Sequence, residues 1–350
     1  MEKRVYIAKC EEYEREKVAE AVDKVLRGFG GAEAILNGSK KVLVKPNLLM
    51  PKKPEDAATT HPYVVEAVCA AFSKAGAEVS IIDSTGGPHT KMLIRLLCGK
   101  TGIKEAAERS GAQINFDTSV KKVSYPEGKK LNKFKVLSPV LNADLVVSVA
   151  KAKTHGYMAM SGSVKNMFGT IPGLGKPGLH RKFPRREDFA SMLVDICEYI
   201  KPGFNILDGI YGMEGQGPAS GTPKYLGVVA GGFSPYAVDL ALCHLIGMRT
   251  DSVYTITDAL SRGIFFDDPD KLDWLGDDPK PLRTSFKPAI KHKADVLPRI
   301  LENCVGCGDC AKVCPAKCIK IQKKLAIINE KECIRCYCCH EFCPFKAIEL

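Results

Sequence analysis

Eight cysteines near the end of the chain carry the clearest chemistry. Residues 304–321 read CVGCGDCAKVCPAKCIKI and residues 333–350 read CIRCYCCHEFCPFKAIEL, an internal repeat offset by 29 residues. Each half has the spacing C-x2-C-x2-C-x3-C-P. Three closely spaced thiolates wrap three irons of a cube, and in paired arrangements the fourth cysteine of each run crosses to the other cube. The reading is two [4Fe–4S] clusters, one on Cys304, Cys307, Cys310 and Cys343 and one on Cys333, Cys336, Cys339 and Cys314. Zinc sites use paired C-x2-C spacing instead of a triple run. Cys318 and Cys338 fall outside the spacing and read as buried thiols. A cube held by four cysteines has no open iron, so this segment is expected to relay single electrons to chemistry located elsewhere.

A second set of polar residues follows directly on apolar, β-type runs. KVLV leads into Lys45-Pro46-Asn47, EVSII into Asp83-Ser84-Thr85-Gly86-Gly87, DLVVSVA into Lys151-Ala152-Lys153-Thr154-His155, and FNIL into Asp208-Gly209. In open α/β sheets ligands bind beyond the carboxyl ends of the strands, which makes Lys45, Asn47, Asp83, Thr85 and Asp208 candidate substrate-binding residues. The glycine- and proline-rich stretch Thr154–Glu187 is expected to be a long irregular functional loop. Its residues His155, Lys165 and His180, with Lys153 just before it, are the candidate catalytic groups, as proton donors or anion clamps.

The elements that must position these groups alternate along residues 1–265. RVYIAKC precedes a helical Glu12–Arg27, KVLVKPN precedes Pro62–Lys74, and EVSIID precedes Met92–Ser110. Later come DLVVSVAK, the helix-like Asp188–Ile200, FNILDGI, YLGVVAGG and Pro235–Ile246. The expected fold is α/β, a largely parallel sheet with flanking helices, plus a small C-terminal α+β two-cluster ferredoxin domain. The expected divisions are 1–265 for the α/β domain, 266–295 for a linker and 296–350 for the ferredoxin domain. At Thr60-His61-Pro62 a helix starts, so Thr60 or His61 has capping as its structural reading.

Two literal motif matches are set aside. Gly173-Leu174-Gly175-Lys176-Pro177-Gly178 fits G-x-G-x-x-G, but no clear strand precedes it and Pro177 is poorly placed to open a helix. Gly99-Lys100-Thr101 resembles the end of a phosphate loop, but Ile94 stands where the earlier glycine is required.

Composition narrows the classes. The 350 residues include fifteen cysteines, most in the last 50 positions, and show neither an export signal nor an apolar run long enough for a membrane span. A cytoplasmic protein with metal-bound cysteines, not disulfides, is expected. The net charge of +11 falls partly on residues 296–350, with nine Lys/Arg against six Asp/Glu, where it offsets the negative charge of bound clusters. The rest includes the run Lys176–Arg186, read as a solvated basic face first and an anion or partner-docking surface second. With no recognisable nucleic-acid motif and one Trp, nucleic acid ranks last among partners.

Lys45-Pro46-Asn47, Thr60-His61-Pro62, Lys151-Ala152-Lys153-Thr154-His155, Ser163-Val164-Lys165-Asn166 with Phe168-Gly169, Asp208-Gly209 and Met213-Glu214-Gly215-Gln216-Gly217-Pro218 form a recognisable succession. Through them roughly residues 1–260 resemble the domain of unknown function 362 family, in which an appended ferredoxin of this kind is common. The resemblance adds His61 and Glu214 to the candidate substrate-binding residues. One departure is visible: similar sequences tend to have an acid before the A-V-D of the late helix, where this chain has Gly232-Phe233-Ser234-Pro235, leaving Asp239 as the matching carboxylate. The family is distantly similar to nickel-pincer lactate racemases, but no local motif here carries that cofactor.

The function expected from the whole is an oxygen-sensitive reductase. Two [4Fe–4S] clusters take electrons from a ferredoxin-like or other redox partner and pass them to a small, anionic substrate, or to a further cofactor of unknown kind, in the α/β crevice. The competing expectation is an electron-transfer subunit or iron–sulfur carrier that docks a partner enzyme and has no catalysis of its own.

Overall fold

Eleven consecutive buried positions make Leu145–His155 the spine of the molecule, a strand covered on both faces. The computed structural model describes residues 2–289 and 296–350. In chain order the strands are β1 (Arg4–Lys9), β2 (Lys41–Pro46), β3 (Glu78–Ile81), β4 (Gln113–Ile114), β5 (Val120–Ser124), β6 (Lys133–Leu137), β7 (Leu145–His155), β8 (Ala159–Ser161), β9 (Phe204–Glu214), β10 (Thr222–Gly232) and β11 (Asp273–Gly276), then β12 (Arg299–Ile300), β13 (Ile319–Gln322), β14 (Leu325–Ile328) and β15 (Ile348–Glu349). The helices are α1 (Arg15–Arg27), α2 (Gly31–Leu36), α3 (Pro62–Lys74), α4 (Lys91–Lys100), α5 (Ile103–Ser110), α6 (Ser138–Leu141), α7 (Ser163–Asn166), α8 (Gly175–Lys182), α9 (Arg186–Ile200), α10 (Pro235–Leu245), α11 (Tyr254–Ser261), α12 (Asp309–Val313) and α13 (Cys338–Glu341).

Among the described residues a nine-stranded sheet runs β11-β1-β10-β9-β7-β2-β3-β4, with β8 paired to β7. The block β9-β7-β2-β3-β4 is parallel throughout, and β10 runs against both its neighbours. The sheet is therefore largely parallel with flanking helices. One apolar cluster joins α1–α5 to one sheet face, and a second joins α9–α11 and the β5–β6 hairpin to the other. In α1 the buried residues Val18, Ala21, Val22, Val25 and Leu26 recur at helical spacing, which is what lets a surface helix cover strands.

Some boundaries differ from the sequence expectation. The stretch Met92–Ser110 is two helices because Gly102, at φ +73°, breaks it. Thr154–Glu187 is not irregular: β8, α7, a 3-10 turn at Met167–Thr170 and α8 fill it. Pro177 sits inside the first turn of α8, where it takes the place of an amide that has no helical partner. Of the expected linker 266–295, Asp273–Gly276 forms β11, parallel to β1 at the sheet edge, and residues 290–295 lie outside the described residues. At the start of α3 His61 is the cap, its Nδ1 accepting from Tyr63 N at 3.3 Å. No helix among the described residues is long and apolar enough to cross a membrane.

Candidate active site

The carboxyl ends of β2, β3 and β7 open into one cavity of about 60 Å³. Lys45 and Asn47 reach it from β2, Asp83 and Ser84 from the loop after β3, and Lys153 and His155 from β7; Lys165, Lys176 and His180 come from α7 and α8. Cys338, Glu341 and Phe342, from the far end of the chain, form part of its wall. A Cβ on Gly86 would lie 2.0 Å from the Phe342 ring, so only glycine allows this approach.

Four lysines share a low-dielectric space, and what each ammonium donates to separates their roles. Lys45 is fully buried and spends its protons on Asp83 Oδ1 (2.8 Å), Pro46 O (2.7 Å) and Asn166 Oδ1 (3.0 Å). Lys153 does the same with Asn47 Oδ1 (2.7 Å), Ala58 O (2.7 Å) and Pro218 O (3.4 Å), but has no carboxylate partner among the described residues. Burial, and after it the Lys165 and Lys151 charges, drives the Lys153 pKa well below the usual lysine value. Lys176 reaches Ser84 O at 3.2 Å and Thr85 O at 3.5 Å, and burial lowers its pKa to about 8. Lys165 has no hydrogen-bond or ion-pair partner among the described residues, and burial lowers its pKa against the opposing charge of Glu341.

The histidines are held neutral. Nδ1 of His155 accepts from Tyr157 N (3.0 Å) and Met158 N (3.3 Å), which leaves its proton on Nε2. That Nε2 has no hydrogen-bond partner, and Glu341 Oε1 stands 3.6 Å away. Burial and the neighbouring Lys165 and Lys153 push the His155 pKa well down. His180 stacks on Phe189 at 4.2 Å between centroids, its Nδ1 is unpartnered, and burial lowers its pKa to about 3. The cavity thus presents Lys165 Nζ, His155 Nε2–H and the remaining proton of Lys176 as unspent donors, an arrangement that calls for a ligand rich in acceptors.

Lys165 is aimed by its helix. Asp239 of α10 accepts from Ser163 N and, at 3.1 Å, from Val164 N, so one carboxylate pins the start of α7. Burial raises the Asp239 pKa to about 7. A Cβ on Gly162 would come 2.2 Å from Asp239 Oδ1, and one on Gly169 would come 2.1 Å from Asp83 Oδ1 and 2.4 Å from Lys45 Nζ. Asn166, next to Lys165, ties α7 to β2 through Lys45 O and to β7 through Ser148 Oγ, both at 3.0 Å.

The sequence candidates divide between the cavity and its surroundings. Lys45, Asn47, Asp83, Lys153, His155, Lys165 and His180 line it, whereas His61, Thr85, Asp208 and Glu214 do not. Asp208 lies in a separate buried network: Lys151 Nζ (3.0 Å) and His61 N (2.8 Å) donate to its Oδ2, and Tyr13 OH donates to its Oδ1 at 2.7 Å. The Tyr13 and His61 rings stack at 3.6 Å. Thr85 closes its own loop through Gly87 O and Pro88 O, and Glu214 receives Lys287 N at 2.8 Å. Sequence reasoning missed Lys176, Glu341 and Phe342. Lys176 was hidden in a basic run whose other members, exposed Arg181, Lys182 and Arg185 and half-buried Arg186, face solvent more than it does at 9% exposed. Glu341 and Phe342 had no local signal, since only tertiary packing brings them here.

The cysteines of residues 304–343 line two further cavities. One is bounded by Cys304, Cys307, Cys310 and Cys343 with Val305, Ile321, Ala326 and Phe345, the other by Cys314, Cys333, Cys336 and Cys339 with Cys318, Ile319, Ile328 and Tyr337. Among the described residues no three His, Cys, Asp or Glu side chains converge as they would on a single metal ion. Gly306, at φ +68°, lies so close to the β13–β14 turn that a Cβ would come 2.5 Å from the Lys324 carbonyl carbon.

Comparison with known proteins gives relatives of limited closeness. The thylakoid-associated protein sll1697 of Synechocystis is 27% identical over 263 residues, covering 73% of this chain and 78% of that protein. Among solved structures, the lactate racemase apoprotein from Thermoanaerobacterium thermosaccharolyticum aligns with a TM-score of 0.45 at 14% identity, over 70% of this chain and 57% of the racemase. A protein from Thermotoga maritima aligns with a TM-score of 0.40 at 17% identity, over 73% of this chain and 60% of the other. The chain therefore spans less than two thirds of either solved protein. Residues 42–244, which carry β2 through α10 and most of the cavity wall, match the domain of unknown function family DUF362, and the chain belongs to it.

Proposed function

We propose that the chain is an iron–sulfur oxidoreductase that reduces a small anionic substrate in the lysine-lined cavity. One observation carries the reading: the segment 336–342 supplies Cys336 and Cys339 to a cysteine-lined cavity and Cys338, Glu341 and Phe342 to the wall of the lysine-lined one. Four thiols in an apolar wall suit a four-iron cluster, so Cys304, Cys307, Cys310 and Cys343 would hold one and Cys314, Cys333, Cys336 and Cys339 the other. When bound, such clusters supply single electrons and no protons. The protein's own residues do the rest. Lys165 and Lys176 bind and orient the anion, His155 Nε2–H offers a hydrogen bond to it, and Phe342 keeps water from that side. Lys45 and Asp83 hold the floor in place. A protein with oxygen-sensitive clusters belongs in a reducing compartment, the cytoplasm.

An electron carrier without catalysis would make no use of the unspent donors of Lys165 and His155, and burying them unmatched costs stability. The test is spectroscopic. Anaerobically reconstituted protein should contain eight irons' worth of [4Fe–4S] absorption, as two four-iron cubes imply. The paramagnetic signal of its reduced form should change when inorganic phosphate enters the cavity, and Lys165→Met should remove that change while keeping the iron. Protein that takes up no iron, or a signal indifferent to every small anion, would sink the reading.

A further inference from the structure

The two cysteine cavities face different surroundings. The one formed by Cys314, Cys333, Cys336 and Cys339 looks inward: Cys336 and Cys339 are buried, and Tyr337 in its lining packs into the main core. The one formed by Cys304, Cys307, Cys310 and Cys343 looks outward. Its Cys307 is exposed, and Val305, Ile321 and Phe345 in its lining are 52%, 37% and 46% exposed. Large apolar side chains gathered at one mouth mark a surface made for contact, since scattered ones would carry no such meaning.

Basic residues adjoin that mouth. The β13–β14 hairpin that supplies Ile321 also carries exposed Lys320, Lys323 and Lys324, and Lys346 follows Phe345. Among the described residues none of these four lysines has an ion-pair partner, whereas Asp309 and Glu349 are paired with Lys312 and Arg299. Neither the four lysines nor Glu302, Glu330 and Glu332 line the cavity itself, but Lys320 and Lys346 directly adjoin its lining residues Ile321 and Phe345 in the chain, and the Lys324 backbone lies against Gly306 in its wall. Arg181, Lys182 and Arg185, also basic, belong to the α8 segment of the larger body and do not line this cavity.

We propose that this outward face, an apolar centre of Val305, Ile321 and Phe345 with Lys320, Lys323, Lys324 and Lys346 on the segments that carry or flank it, docks a small acidic electron-transfer protein. The inference rests on the proposed function and gives its electrons a point of arrival. One electron leaves the carrier, which is oxidised, and enters the group held by Cys304, Cys307, Cys310 and Cys343, which is reduced; no bond changes and no proton moves. Lysine charges steer the encounter and the apolar contact excludes water, as in other charge-guided associations. The surface is opposite in character to the inward cavity, so donor and substrate would not compete for space.

The test is binding of an oxidised acidic two-cluster ferredoxin to the iron-loaded protein, measured by calorimetry at about 0.02 M and about 0.3 M salt. The dissociation constant should rise at least about tenfold with salt, and the combined variant Lys320→Glu, Lys323→Glu, Lys324→Glu should raise it at least about tenfold at low salt. Phe345→Ser should weaken binding while keeping the salt dependence. Arg181→Glu with Lys182→Glu should leave the constant unchanged. No binding by the parent protein, an unaffected hairpin variant of full iron content, or loss in the Arg181/Lys182 variant instead would each overturn the docking face. Failure of the proposed function shows separately, as absent iron or as a reduced-state signal indifferent to phosphate.

Discussion

Two lysines only fourteen positions apart in sequence live in opposite chemical circumstances. Lys151 has a carboxylate, Asp208, at 3.0 Å and the Tyr13 hydroxyl at 2.6 Å, and neither member of the ion pair is solvent-exposed. Lys165 is only half-buried, its side chain opening into the cavity, and it has no partner among the described residues. The first arrangement is complete and closes the join between α1, α3, β7 and β9. The second is incomplete, and a fold keeps such a group at a cost to its stability. A buried charge with its needs met therefore reads as architecture, and one with needs unmet reads as a place for something to bind.

The comparison is most sharply broken at Asp208. Asp208→Ala should destabilise the protein by about 3–5 kcal/mol, because Lys151 would stay buried without its counter-charge. Denaturant unfolding measures this, and a loss under about 1 kcal/mol would mean the network is not structural. Lys165→Met should behave in the opposite way, with stability unchanged or higher, while phosphate binding followed by calorimetry weakens by about 10–100-fold, the worth of a charged hydrogen bond. If Lys165→Met unfolds the protein as Asp208→Ala does, the contrast disappears. Gly169→Ala should cost about 1–3 kcal/mol by forcing a methyl between Asp83 and Lys45, with little left of anion binding once the floor is displaced. The smallest effect expected is with pH. Lys176 is charged below about 8 and neutral above it, so anion affinity should fall a few-fold as pH rises through that value. Lys176→Met should flatten the profile, and an unchanged profile would assign it to another group.

Much of the scaffold was legible because its signals are local. Apolar runs such as those of β2, β7 and β9 are long enough to be recognised, and the strand-end rule led to Lys45, Asp83, Lys153 and His155. The same rule also selected Asp208, which ends in the Tyr13 network, since a strand end says where a residue lies and not what it meets. Lys165 was found, but its helix was not, because four residues are too few to show a helical period. Lys176 reads like its exposed neighbours, and its burial depends on α8 packing over the loop after β3. Glu341 and Phe342 reach the cavity across more than 120 positions, a contact that no window of sequence contains.

The packing of Tyr337 bears on how such proteins could be rearranged in evolution. Tyr337 is 4% exposed within the core of the larger α/β body, and the terminal Leu350 packs against the same core. The C-terminal segment is thus not a cassette hung on a tether. Exchanging it for a foreign module, or trimming it, would take a piece out of the host's own interior, and inheritance of the two parts should be tied together more tightly than their separate chemistries would suggest.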